Sequence, residues 1–268
     1  MSALKGMFSF YTMIRLDIDQ KDMDDMNKSF YLVPLIGIFY GLIAVISLRI
    51  FGEFFPLFLS AALTMFTIHL VNRFLHIDGM ADVGDGLMVA GEREDHLRAL
   101  KDSRIGVGGM VFAFFVILIT VASIGGLPLV AGNMGWGYVL LIPFVAEILA
   151  KNATVAAAAF GTAGEGMAGE SVRNTKPEHV LYSTALSALI IFVYFLFFVL
   201  ADWNIDMAKM CASLVIAILA SIGVGYLMAY LAKKNFGMVN GDVLGATNEI
   251  ARAVTLLMML ALIFRFVW

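Results

Sequence analysis

The chain has 268 residues, 61% hydrophobic and 15% charged, with a net charge of −3. A soluble globular chain is about half apolar and about a quarter charged, so this composition excludes an ordinary soluble domain and predicts an all-α, polytopic membrane bundle forming one domain over 1–268. The small net charge argues against a nucleic-acid partner, and the single cysteine, Cys211, excludes an intramolecular disulfide or a cysteine-based metal site and is expected to be a buried small hydrophobe.

Leu4–Arg15 is apolar but too short to span, and reads as an interfacial or re-entrant helix. The acidic stretch after it lacks the small-residue pattern of a cleavable leader. Seven spans are then expected: Phe30–Ile50, Phe54–Leu75, Met110–Val130, Trp136–Phe160, Val180–Ala201, Met207–Ala232 and Ala253–Val267. The last is short, and the first two also read as one bent hairpin. Fifteen of the 18 Lys and Arg fall on the side of the N-terminus and the loops 72–109, 161–179 and 233–252, leaving Arg49, Lys209 and Arg265 opposite. That bias makes this side cytoplasmic. The connections "FGEFF", "AGNMG" and "ADWNID" on the other side read as plain turns.

The chemistry is expected in the cytoplasmic loops. "HIDGMADVGDGL" puts Asp78, Asp82 and Asp85 at i, i+4 and i+7, on one face of a helix. Three adjacent carboxylates repel unless a cation lies between them, and oxygen-only donors suit a hard ion such as Mg²⁺. Gly79 and Gly86 leave room for a bulky ligand. "GEREDHL" alternates in sign like a solvated surface helix. In "KDSRIGVGG", Lys101 and Arg104 flank Asp102 and Ser103, and Gly106 opens the next span, where backbone N–H groups suit phosphate oxygens. "NGDVLGATNEIA" carries Asp242, Asn248 and Glu249, a second polar cluster on the same side expected to bind substrate, although "NGD" is also ordinary turn chemistry. The loop 161–179 either closes over a substrate or is a flexible connection. Glu147 and Lys151, at i and i+4 within a span, read equally as a structural pair and as functional groups. His69 and Asn72 read as packing partners.

"HIDGMADVGDGL", "KDSRIGVGG" and "NGDVLGATNEIA", in that order, resemble the signature segments of the cobalamin synthase (adenosylcobinamide-GDP ribazoletransferase) family. The resemblance runs the length of the chain. It implies transfer of adenosylcobinamide phosphate from adenosylcobinamide-GDP to α-ribazole or α-ribazole 5′-phosphate, releasing GMP and requiring Mg²⁺, at the cell (inner) membrane. The family's acidic motif falls on Asp78, Asp82 and Asp85, its Lys-Asp-Ser-Arg segment on Lys101 to Arg104, and its late Gly-Asp segment on Gly241 and Asp242. In that reading Asp82 and Asp85, with Asp78 or Asp102, hold the ion. Lys101 and Arg104 steady the phosphates, and Asp102 is the favoured proton acceptor. Other enzymes of cobamide assembly are expected to dock on the same face.

Two other readings remain. "DVGDG" matches the opening of the CDP-alcohol phosphotransferase motif, but the continuation "LMVAGERE" does not, which leaves a lipid head-group transferase as runner-up. A cation transporter would place its carboxylates at mid-membrane on broken helices. Intramembrane prenyltransferases usually carry two similar aspartate motifs, and one is present here.

Overall fold

The computed structural model describes residues 2–131, 136–200 and 207–267, and no strand occurs among them. The turns expected at 132–135 and 201–206 lie outside the described residues. Twelve helices follow in order: α1 Ser2–Tyr11, α2 Gln20–Lys28, α3 Pro34–Gly52, α4 Leu57–Val71, α5 Leu75–Met88, α6 Arg93–Leu100, α7 Val107–Ala131, α8 Trp136–Phe160, α9 Gly166–Asn174, α10 Pro177–Leu200, α11 Met207–Asn235 and α12 Gly241–Val267. A 3-10 turn, Phe30–Leu32, leads into α3. Six of the helices are long and apolar enough to cross a membrane, and the bent pair α4–α5 makes a seventh candidate span. This is a multi-pass membrane bundle.

The centre of the bundle is α8. Its whole apolar window is buried, against 28–56% for the other long helices. Lipid tails are as apolar as leucine, so helices in a bilayer associate through close backbone approach more than through water exclusion. The sequence supplies that approach with small residues. Gly37 of α3 meets the backbone of Glu147 and Ile148, and Gly41 meets the ring of Phe144. On the opposite side, Gly225 of α11 meets Ala153 and Ala156.

Three expectations change. The second span, read as Phe54–Leu75, is a 15-residue helix that bends by 95° into α5. Arg73 and Phe74 make the bend in left-handed backbone, at φ of 56° and 59°. Neither is a glycine, so this conformation is strained and survives only because its surroundings hold it. Those holds are visible: Phe74 N–H donates to His69 O at 2.7 Å, and Arg73 Nη2 donates to Phe10 O at 3.1 Å. The seventh span is also not short. α12 starts at Gly241, capped by Asn240, whose side-chain oxygen accepts from Val243 N–H at 3.1 Å. The polar run before Ala253 resembles a loop, but it is helix wall inside the protein. Finally, Cys211 is exposed on the outer face of α11, not buried; an outer face in a bundle meets lipid, where a thiol is as acceptable as in a core.

The N-terminal helix is too short to span, as expected, and folds back on α2. Asp22 accepts from the Ser2 hydroxyl and from Lys5 Nζ at 2.9 Å. These donors hold the Asp22 carboxyl at about 2. The loop 161–179 is partly helical. It forms α9, where Ser171 Oγ donates to Asn27 Oδ1 at 2.7 Å, and a backbone bridge between Ala163 and Val239 ties its start to the turn before α12.

Candidate active site

α5 and α12 cross at their N-terminal ends. The crossing is tight because both helices carry glycine at the contact: a Cβ on Gly79 would stand 2.6 Å from Asp242 Cα, and one on Gly245 would stand 3.1 Å from His76 Cα. The crossing brings Asp242, distant in sequence, to the acidic face of α5. The charges of Asp242, Asp78 and Asp85 all act on Asp82. Asp78 is exposed, and Asp82 and Asp242 are half-buried. A cavity of about 90 Å³ opens here, lined by Asp78, Asp242, His76, Tyr11, Lys151 and Ala168 among others.

The carboxylates differ in what they already hold. Asp85 accepts from Gly106 N–H at 2.6 Å and Gly109 N–H at 2.7 Å, and so caps the start of α7. This corrects the expectation for Gly106, whose N–H serves Asp85 and not a phosphate. It also leaves Asp85 poorly placed as a metal ligand. Asp102 is clamped by Arg104 through Nε at 3.1 Å and Nη2 at 2.8 Å, and this pairing holds its carboxyl at about 2. A group that acidic is a poor proton acceptor near neutral pH, contrary to the role expected for it. Asp242 Oδ2 accepts from Asn240 Nδ2 at 2.7 Å. Asp78 and Asp82 accept no hydrogen bond among the described residues.

The glycines, too, have packing duties. Gly79 admits the Asp242 backbone, and Gly86 admits the ring of Phe236, where a Cβ would stand 2.7 Å from Cε1. Neither is open to a ligand. Lys101 lies 3.6 Å from Glu165, and Ser103 and Arg104 are exposed beside it.

Beneath the cavity lies a buried polar network that the sequence showed only in fragments. Arg252 bridges two carboxylates, donating through Nε to Glu147 at 2.6 Å and through Nη1 to Glu249. His69 and His76 lie 3.8 and 3.5 Å from Glu249. Asn248 donates to Glu249 at 3.1 Å and accepts from Lys151 Nζ at 2.7 Å. Of the two readings of Glu147 and Lys151, the direct pair is not made; each finds its partner on α12. Asn248 and Glu249, expected to touch substrate, are 0% and 2% exposed and lie one layer below the cavity wall. Lys151 and Arg252 belong to the bundle interior and not to the positive loops.

A family model described as cobalamin-5-phosphate synthase matches residues 3–260. The chain belongs to the cobalamin-5-phosphate synthase family. Relatives named adenosylcobinamide-GDP ribazoletransferase include one from Methanocella arvoryzae, 32% identical over 96% of this chain and 94% of that one. Another, from Halorubrum lacusprofundi, is 31% identical over 96% and 95%, and one from Methanococcoides burtonii is 29% identical over 96% and 91%. No solved structure matches. The synthase-like segments read from the sequence thus fall on α5, on the α6–α7 connection and on the first turns of α12, which the fold gathers at one end of the bundle.

The donor set suits a hard cation borne by a substrate. Among the described residues no three carboxylate or imidazole groups converge into a ready-made metal site. Mg²⁺ does not require one: it keeps several waters and is commonly bound through one or two carboxylates plus substrate phosphates. Asp78 and Asp242, facing one cavity as like charges, fit that role.

Proposed function

We propose that this chain is an adenosylcobinamide-GDP ribazoletransferase of the last steps of cobamide assembly. It would transfer adenosylcobinamide phosphate from the GDP-activated donor to α-ribazole or α-ribazole 5′-phosphate. The observation that carries the reading is the convergence of Asp78 from α5 with Asp242 from α12 at one cavity, with Asp82 close enough to feel both charges, in a chain of this family. Family membership leaves the lipid head-group transferase and the cation transporter without support.

The reaction makes one P–O bond and breaks another. A ribose hydroxyl of the acceptor attacks the phosphorus that carries the cobinamide, and the bond to the GMP oxygen breaks, so GMP departs with the electron pair. Asp78 and Asp242 would hold Mg²⁺, which when bound neutralises charge on the diphosphate. Asp82, half-buried and with both oxygens free of hydrogen bonds, takes the hydroxyl proton. Lys101 and Arg104, on the exposed α6–α7 connection, attract the anionic donor from solution. Asp85 keeps that connection beside the acidic face by capping α7. The active face is cytoplasmic by its Lys and Arg excess, in a cell membrane, and open there to partner enzymes.

Purified protein in liposomes, given Mg²⁺, adenosylcobinamide-GDP and α-ribazole 5′-phosphate, should release GMP only when all three are present. Well-folded protein that released none would refute the assignment.

A further inference from the structure

Lys151 carries the one lysine or arginine side chain on the wall of the cavity that Asp78 and Asp242 share. It is 1% exposed. An ammonium has three N–H donors, and here one is used, on Asn248 Oδ1 at 2.7 Å. The rings of Tyr40 and Tyr11 face the nitrogen at 5.1 and 5.7 Å. No carboxylate stands within 4 Å of it among the described residues. The two candidates, Glu147 and Glu249, are both taken by Arg252. The two carboxylates exceed Arg252 by one charge and so balance Lys151 from a distance, but neither occupies its N–H donors. The network beneath spends its carboxylates on Arg252 and leaves Lys151 its free donors at the cavity wall.

We infer that Lys151 binds a phosphate oxygen of a substrate inside the cavity, with Asn248 as the residue that positions it. This rests on the transferase reading above. A phosphate oxygen would accept from the donors that Asn248 leaves unused, and the tyrosine faces leave it a defined direction of approach. The oxygen comes either from the diphosphate of the donor or from the 5′-phosphate of the acceptor.

The experiment compares wild type, Lys151→Met, Lys151→Arg and Asn248→Ala in liposomes, with α-ribazole and α-ribazole 5′-phosphate as alternative acceptors. GMP release by the wild type tests the transferase reading by itself. The inference is tested separately by thermal stabilisation with inorganic pyrophosphate. Lys151→Met should raise a KM at least tenfold and abolish the pyrophosphate stabilisation, Lys151→Arg should restore both to within a few-fold, and Asn248→Ala should raise the same KM by less. A rise in donor KM with either acceptor assigns the oxygen to the diphosphate, whereas loss of the preference for the phosphorylated acceptor assigns it to the 5′-phosphate. The inference is overturned if Lys151→Met keeps both KM values and the pyrophosphate stabilisation within twofold of wild type. Should that variant not fold, a wild-type melting temperature that pyrophosphate leaves unchanged overturns it equally.

Discussion

Gly79 and Asp242 lie 163 positions apart in the chain, yet the backbone of one sits where the side chain of the other would begin: a Cβ on Gly79 would meet Asp242 Cα at 2.6 Å. The acidic site is thus assembled by a helix crossing that depends on a missing atom. Gly79→Ala must push α5 from α12, because the obstacle is backbone and cannot rotate away. Overpacking of this kind costs about 1–3 kcal/mol, and the displacement moves Asp242 relative to Asp78 and Asp82. GMP release should fall at least tenfold, with the acceptor and donor KM values rising together. Gly79→Ala protein with wild-type kinetics would show that the crossing does not set the site.

Asp82→Asn should lower turnover by about 10²–10⁴, the range expected on losing a general base. Its melting temperature in detergent should stay level or rise, because the substitution removes one charge from a group of four mutually repelling carboxylates. A variant that lost activity only in proportion to its loss of folded protein would mark Asp82 as structural.

Asp102→Asn separates the two acidic segments. Arg104 keeps the wild-type carboxyl at about 2, so its titration lies far below any working pH. The acid limb of the pH–rate profile should be unchanged in Asp102→Asn, and the rate should drop by less than tenfold. An acid limb that vanished would restore Asp102 as the proton acceptor.

Asp22 gives a pH-dependent contact between α1 and α2. Ser2 and Lys5 depress its carboxyl from the ordinary 3.8 to about 2. A depressed carboxyl stabilises the fold fully above its unfolded value and loses that contribution as pH falls through its folded value. The contact should therefore hold at pH 5 and weaken between about pH 4 and 2, with pepsin cleavage before residue 12 rising over that window. Asp22→Asn should be open to trypsin after Lys5 already at pH 7.

The Asp78, Asp82 and Asp85 alignment was readable because helical periodicity is local, and so was the bundle itself, because bilayer thickness dictates span length. What stayed hidden was long-range. Glycines beside aspartates suggested space for a ligand, whereas the space is filled by Asp242 backbone and by Phe236. The N–H groups of Gly106 and Gly109 suggested a phosphate cradle, whereas Asp85 had reached them first across more than 20 residues. Arg252 looked like one more positive loop charge. Its role appeared only once α8 supplied Glu147 from 105 residues upstream. A signal was present in each case, a polar residue at helical spacing ahead of an apolar run, but composition alone could not tell helix wall from loop.

That separation along the chain has a consequence for synthesis. α8 leaves the ribosome carrying Glu147 and Lys151, while Arg252 and Asn248 trail by 105 and 97 residues. At about 5–20 residues per second the delay is roughly 5–20 s. During it, a segment destined to be wholly enclosed by protein faces lipid or the insertion machinery with two charges whose native partners do not yet exist. The last helix is therefore the closing piece of the assembly, and a chain that stops before it should be handed to quality-control proteases with its first eleven helices already made.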